Sequence, residues 1–201
     1  MKLNRKVICD RLKFPQFFTA VTLLLTVMTS AAHSQDCGSG ELRQARTASL
    51  RQSGIAVLNA IAQKDTERLF SYIDSSGIAF GPDKTPLPRQ DLRNQFARRR
   101  GAYCLFFSTA CIPDMGRLKG LEPDEILSKW KISYFEWLGL NKTYTTRASV
   151  LDDIEGISGC DGEFHAQARR EMKNAPDDIE LDFNFYKGRW WISYTVAGAP
   201  I

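Results

Sequence analysis

The chain has 201 residues, of which 43% are hydrophobic and 25% are charged, which is the composition of a globular protein and not of a disordered one. Its net charge of +4 comes from residues 1–34, which hold five basic and one acidic side chain, so the remainder carries 22 of each sign. A charge-balanced domain gives no electrostatic reason to expect nucleic acid binding. The local basic run 98–100 is interpreted as a solvated helix end.

The first segment has the order of features that defines a secretory signal peptide. Basic residues occur between positions 2 and 13, an uncharged stretch runs from 14 to 35, and small residues occupy 30–32 and 34. We predict cleavage after Ser34, which gives a signal peptide at 1–34 and a secreted or periplasmic domain at 35–201. The alternative is an uncleaved anchor, but the apolar run is shorter than the roughly 20 residues of a membrane span. We therefore expect no membrane attachment after cleavage.

Helical periodicity dominates the first part of the domain. Leu50, Val57, Leu58 and Ile61 recur at helical spacing, and Asp65 is placed to cap a following helix. Gly77 is expected to end that second helix before a short strand. In chain order, the predicted elements are helices at 41–64 and 66–73, a strand at 78–80 and a helix that follows 87–88 and ends at 98–101.

Strand patterns dominate the second part. The apolar run 103–107 predicts a buried strand, and the aromatic residues from 130 to 138 predict a packed helix, or a helix followed by a strand. Further strands are expected at 144–151 and 163–172. The strongest signal is a hairpin of 181–186 and 190–196 around Lys187-Gly188. Within it Trp191 faces away from Trp190, so we predict that Trp191 is exposed and belongs to a contact surface.

Four cysteines remain after signal cleavage, and an even number in an exported chain favours disulfides. Four cysteines allow three pairings; a local bridge between Cys104 and Cys111 is the simplest, and it leaves Cys37 for Cys160. The alternative is a metal site of Cys104, Cys111, Cys160 and His165. Its spacing matches no compact zinc signature. We therefore expect disulfides and no metal.

Helices followed by a curved antiparallel sheet indicate an α+β domain. The helix that ends in Ala62-Gln63-Lys64-Asp65, the helix to Ile73, the strand 77–80 and the hairpin 185–190 together resemble the NTF2-like superfamily, the cystatin-like α+β cone. The resemblance covers much of the domain. It implies helices packed on a curved sheet, in many members around a pocket that holds Asp, Tyr or His. It leaves function open, because relatives include isomerases and dehydratases as well as binding modules.

The sequence offers few residues for catalysis. His165 is the single histidine after position 34, with Glu163 and Gln167 on its face of the predicted strand and Asp161 nearby. An acid–base role for His165 is conceivable, but an exposed strand histidine is the expected interpretation. The carboxylates at 152, 153 and 155 are read as a solvated turn, and those at 177, 178, 180 and 182 as a loop that enters a strand. No P-loop or dinucleotide motif occurs, so no cofactor is expected.

Three hypotheses for function follow. The first is an exported, non-enzymatic domain that binds a small apolar ligand or a protein partner. The second is a pocket enzyme of the isomerase or hydro-lyase type that uses His165 or a buried carboxylate. The third is a cell-envelope assembly factor that forms homodimers through its sheet. An enclosed polar cavity would favour the second, and a filled core with an exposed aromatic patch would favour the others.

Overall fold

A computed structural model describes residues 37–80, 85–111, 132–151, 160–169 and 176–198. The predicted signal peptide lies outside these residues. Within them the helices are α1 (Gly40–Ala62), α2 (Thr66–Phe70), α3 (Arg89–Ala97), α4 (Ala102–Phe107) and α5 (Tyr134–Leu140), and the strands are β1 (Ile78–Phe80), β2 (Pro86–Leu87), β3 (Tyr144–Leu151), β4 (Cys160–Ala168), β5 (Asp178–Tyr186) and β6 (Arg189–Gly198). None of these helices has both the length and the apolar character to cross a membrane.

The strands form one mixed sheet in the order β2-β1-β6-β5-β4-β3. Strands β3 to β6 are antiparallel neighbours, as the sequence predicts. Strand β1 joins β6 in parallel, with Ala79 aligned to Tyr194, and β2 pairs antiparallel with β1. The domain is therefore α+β as expected, but the prediction of a wholly antiparallel sheet is wrong. Strand β1, which follows α2 in the chain, lies next to β6, the last strand, and these two strands run parallel.

Helix α1 packs on one face of the sheet and makes most of its contacts with β3 and β4. Its buried side includes Leu50, Gly54, Val57, Leu58 and Ile61. These residues recur at three- and four-residue intervals, which is why the sequence identifies this helix correctly. The face of α1 that they form meets the inward side chains of the sheet and creates the hydrophobic core.

The apolar run at 103–107 is part of helix α4, so the prediction of a strand there is wrong. All residues of α4 except Tyr103 are buried, and a helix enclosed on all sides leaves an unbroken apolar run with no helical period. The start of the helix is fixed by Gly101, at a φ of 59°, and by the side chain of Gln95. The Oε1 atom of Gln95 accepts a hydrogen bond of 2.7 Å from the backbone N–H of Ala102.

The C-terminal hairpin is confirmed, and both of its strands, β5 and β6, are longer than the predicted 181–186 and 190–196. Lys187 and Gly188 have φ values of 53° and 74°, the left-handed conformations of a type I′ turn. A bulge between Asp182 and Phe183 adds Ser193 to β6, so that Asp182 pairs with Tyr194 while Phe183 pairs with Ile192. Beyond the bulge, alternate residues again point to opposite faces.

The cysteines pair in the arrangement that the spacing favours. The Cα atoms of Cys37 and Cys160 lie 5.1 Å apart, and those of Cys104 and Cys111 lie 5.6 Å apart. The first pair joins the residues before α1 to the start of β4, and the second joins α4 to the segment that follows it. The three cysteines of the alternative Cys₃His set are thus each paired with another cysteine, which favours the disulfides over that set.

Candidate functional site

Helix α1 and the sheet are in close contact at Gly54 and Gly162. A Cβ atom placed on Gly54 of α1 would collide with the ring of Phe164, and one placed on Gly162 would lie 2.5 Å from Leu50 and 3.0 Å from Trp190. Both glycines are needed because helix and sheet approach so closely. The described core at these positions leaves no room for a ligand.

A first surface groove, of about 680 Å³, runs between α1 and β3. Gln44, Thr47, Arg51, Gln52 and Thr146 supply most of its lining, with Arg51 donating a 3.2 Å hydrogen bond from its Nε to Thr146. Ala48, Ile55 and Ala148 complete the lining, so polar and apolar side chains are mixed in this groove.

The other face of the sheet, which we call the outer face, is formed by the side chains that point away from α1. Strands β4 and β5 place acidic residues side by side here, because Glu163 pairs with Asp182 and the next outward position of each strand is also polar. Among the described outward positions of β3 to β6, the acidic residues are Asp161, Glu163, Asp178, Glu180 and Asp182, and the basic residues are Arg147 and Arg189. The outer face is thus acidic in a domain whose overall charge is balanced.

A second groove, of about 360 Å³, lies on this outer face and is called the acidic groove below. It spans the sheet from Pro86 of β2 to Leu151 of β3. Its polar lining consists of Asp161, Glu163, Asp182, Asn184, Ser193 and Tyr194. Three carboxylates and three neutral hydrogen-bonding side chains thus line the acidic groove.

His165 lies beside the acidic groove, bound to a carboxylate. Its Nδ1 is 2.7 Å from Oδ2 of Asp178, and its Nε2 is 3.8 Å from Oε2 of Glu163, which lines the groove. Across the neighbouring strands, His165 pairs with Glu180 of β5 and Arg147 of β3. The imidazole therefore lies between the buried carboxylate of Asp178 and the carboxylate of Glu163, which lines the acidic groove.

The expectation of an exposed His165 is wrong, since the residue is only 7% exposed and Asp178 is 8% exposed. Among the described residues, Nε2 of His165 has no hydrogen-bond partner and is enclosed. The hydrogen bond to Asp178 raises the pKa of His165; burial opposes this rise, and the charges of Asp178 and Glu180 add to it. An ionised carboxylate thus favours the protonated imidazole despite its burial.

Trp191 lies at the hairpin end of the outer face, and it is half-buried where the sequence predicts an exposed residue. It stacks on Tyr186, with ring centroids 5.7 Å apart. The guanidinium of Arg189 lies 4.3 Å from the centroid of Trp191 and 5.6 Å from that of Tyr72. We call Tyr72, Tyr186, Arg189 and Trp191 the hairpin cluster.

Hydrogen bonds hold the hairpin cluster in place. Tyr186 donates its hydroxyl to Asp74, Arg189 donates from Nη2 to the carbonyl of Ser71 at 2.7 Å, and Trp191 donates from Nε1 to the carbonyl of Tyr186 at 3.2 Å. Burial and the Asp74 hydrogen bond raise the pKa of Tyr186 to about 12. The tyrosine is therefore a neutral donor at physiological pH, and the cluster is tied to the loop after α2.

The described residues show no site at the remaining candidates from the sequence. The carboxylates at 152, 153 and 155, and Trp130, lie outside the described residues. Within the described parts of the chain, no three His, Cys, Asp or Glu side chains are grouped to hold a metal ion. Arg98, Arg99 and Arg100 are exposed at the end of α3, as expected of a solvated helix end.

Sequence reasoning missed Asp178 and the partners of Trp191. Asp178 and Glu180 alternate with buried residues as strand residues do, and the prediction of a loop there is wrong because β5 begins at Asp178. Their position beside His165 depends on the register of β4 and β5, in which Gln167 pairs with Asp178. Tyr72 and Arg189 come together only through the tertiary fold.

Comparison with known proteins found no matching family model and no similar curated protein. The NTF2-like resemblance therefore remains a prediction that rests on the residues quoted above.

Proposed function

We propose that this chain is an exported, non-enzymatic binding domain that docks a protein partner on the outer face of its sheet. The proposal includes removal of the signal peptide at 1–34 and an NTF2-like arrangement of α1 on the curved sheet. The observation that carries it is the preorganised hairpin cluster, in which a half-buried Trp191 is held between Tyr186 and Arg189.

The chemistry of the hairpin cluster supports a protein partner. Trp, Tyr and Arg are the residues that most often dominate binding energy at protein interfaces. Their hydrogen bonds to Asp74, to Ser71 and within the hairpin fix the side chains before binding, which lowers the entropic cost of association. The close packing at Gly54 and Gly162 supports a surface site over an internal pocket.

Site-specific photocrosslinking in the exporting cell tests the proposal. Asn184 is exposed, pairs with Trp191 across the hairpin and is a suitable position for a benzoylphenylalanine. Asn94, exposed on α3, is the matched control position. We expect a discrete crosslinked adduct from position 184 that position 94 does not give, and its loss when Trp191→Ala is added.

The identity of the adduct separates the partner hypotheses. A second copy of this chain would favour the homodimer, and a different protein would favour an assembly or binding role. Trp191→Phe should retain most of the adduct because it keeps an aromatic ring in the cluster. Equal crosslinking from positions 184 and 94, or none from either, would contradict docking on the outer face.

The second candidate is a pocket enzyme of the isomerase or hydro-lyase type. The observation in its favour is the 2.7 Å contact between His165 and Asp178, which orients an imidazole as catalytic dyads do. A substrate would have to reach Nε2, which is enclosed. Carbethoxylation of His165 in the folded protein tests this: a rate near that of free histidine would support the enzyme, and strong protection would disfavour it.

A further inference from the structure

Strand β3 forms one edge of the sheet, because the strand order places β4 on one side of it and no described strand on the other. Within the described parts of the chain, the backbone groups on this open edge therefore have no strand partner. Strand β3 has 8 residues, whereas β2 at the opposite edge has only 2. A long open edge is where an extended segment of another protein can add to a sheet.

The groove between α1 and β3, of about 680 Å³, lies along this open edge, since three consecutive residues of β3, 146–148, line it. We call it the edge groove. On its helix side Ile55 is 38% exposed, and Ala48 is exposed as well. Together with Ala148 of the strand, these residues give the apolar side chains of an added strand a surface on which to pack.

The charged residues that line the edge groove are two arginines, Arg51 of α1 and Arg147 of β3. Both are exposed, and no described carboxylate lies within ion-pair distance of either. Arg51 donates to Thr146 from the helix side, while Arg147 occupies an outward position on the strand. An added strand would thus have a guanidinium group near each of its two faces, and guanidinium groups favour carboxylates.

We propose that an extended acidic segment of a partner protein adds to β3 as a further strand, with apolar side chains in the edge groove and carboxylates paired with Arg51 and Arg147. Charge complementarity selects this occupant. It disfavours a second copy of this chain, because two-fold antiparallel pairing centred on β3 would bring the Arg147 residues of both copies together. The edge groove shares no residue with the hairpin cluster, so this inference goes beyond the function proposed above.

Titration calorimetry of the purified protein, with its disulfides intact, against the acetylated and amidated peptide EVEVEEVE tests the inference. When extended, this peptide carries glutamate and valine on both of its faces. We expect saturable binding that weakens about tenfold in Arg51→Gln with Arg147→Gln, since both cations next to the peptide are lost. The matched control is Arg98→Gln with Arg100→Gln, at exposed positions after α3, and it should bind like the parent protein.

Amide hydrogen exchange, followed residue by residue by NMR, distinguishes strand addition from charge attraction alone. In an edge strand, the backbone N–H groups of alternate residues point away from the neighbouring strand. A saturating amount of the peptide should therefore slow exchange at least tenfold at alternate residues of β3, those whose N–H groups point away from β4. Binding through the arginine side chains alone would leave these exchange rates unchanged.

Several results would overturn the inference. These are no binding of the peptide by the parent protein, an equal loss of binding in the control variant, or unchanged exchange in β3 when the peptide is bound. A dimer in sedimentation experiments that the peptide dissociates would assign the open edge to a second copy instead. Both double variants should keep the urea midpoint of the parent, because surface substitutions of this kind change stability little, so a loss of binding would not reflect unfolding.

The outcome is independent of the docking proposed for the outer face. Trp191→Ala leaves the edge groove intact and should bind the peptide like the parent protein. A crosslink at position 184 without peptide binding would keep the proposed function and reject only strand addition at β3. Peptide binding without that crosslink would reject the outer face and keep the edge groove.

Discussion

Gly54 and Gly162 determine how closely α1 approaches the sheet. Replacing a helical glycine by alanine normally stabilises a helix by up to about 1 kcal/mol. At Gly54 the new methyl group would meet the ring of Phe164, which is fully buried in the core. We therefore expect Gly54→Ala to lower the free energy of unfolding by about 2 kcal/mol, measured by urea denaturation.

Gly139 in α5 provides the control for this substitution. Among the described residues, a Cβ atom on Gly139 has no neighbour within 4 Å, so Gly139→Ala should raise the stability by a few tenths to about 1 kcal/mol. Opposite signs for the two alanine variants would show that contact with the sheet decides the effect. A neutral or stabilising Gly54→Ala would mean that α1 lies farther from β4 than described.

His165 makes the stability of the fold depend on pH in a defined direction. Because its pKa is higher in the folded protein, chiefly through the hydrogen bond to Asp178, its contribution is complete below the unfolded pKa of about 6.5. That contribution is lost as pH rises through the folded pKa. The urea midpoint should therefore fall between pH 6 and pH 9, a range in which His165 is the only titrating histidine of the chain after position 34.

Asp178→Asn tests the cause of this pH dependence. The amide keeps the size of the side chain and an acceptor for the imidazole, but it removes the charge that favours protonation. We expect a loss of about 2 kcal/mol at pH 6 and a flat or reversed pH dependence between 6 and 9. A variant that keeps the parent slope would rule out Asp178 as its source.

At the scale of the element, the hairpin turn uses a residue that does not suit its backbone. Lys187 adopts a φ of 53° in a type I′ turn, where asparagine is preferred. Lys187→Asn should stabilise the domain by about 0.5 kcal/mol, and Lys187→Val should destabilise it, because β-branched residues strain at positive φ. Thermal unfolding of the two variants checks this order, and a valine variant as stable as the asparagine variant would contradict the turn type.

The elements also show what a sequence can and cannot predict. Helix α1 and the β5–β6 hairpin are readable because one side of each is buried, so their periodicity is preserved in the sequence. Helix α4 is surrounded by protein, and its run of apolar residues carries no period. The parallel partnership of β1 with β6 joins segments more than 100 residues apart, and no local pattern encodes it.

The same reasoning applies to the candidate site. Trp191 was identified because a single strand reveals which side chains face outward. The acidic groove and the His165–Asp178 pair require knowledge of which strand lies beside which and in what register. Local sequence patterns therefore predict which side chains lie on the outer face. Which of them are neighbours there follows only from the order and register of the strands.

At the scale of the whole molecule, the two disulfides differ in how much of the chain they constrain. Cys37 and Cys160 are 123 residues apart, whereas Cys104 and Cys111 are 7 apart. Loop-closure entropy predicts a contribution of about 5 kcal/mol for the long loop and about 2.5 kcal/mol for the short one. Cys37→Ser with Cys160→Ser should thus destabilise the domain more than Cys104→Ser with Cys111→Ser, as judged by urea midpoints. Because the partners are removed in pairs, no unpaired thiol complicates either variant, and the reverse order would mean that native contacts around α4 outweigh chain entropy.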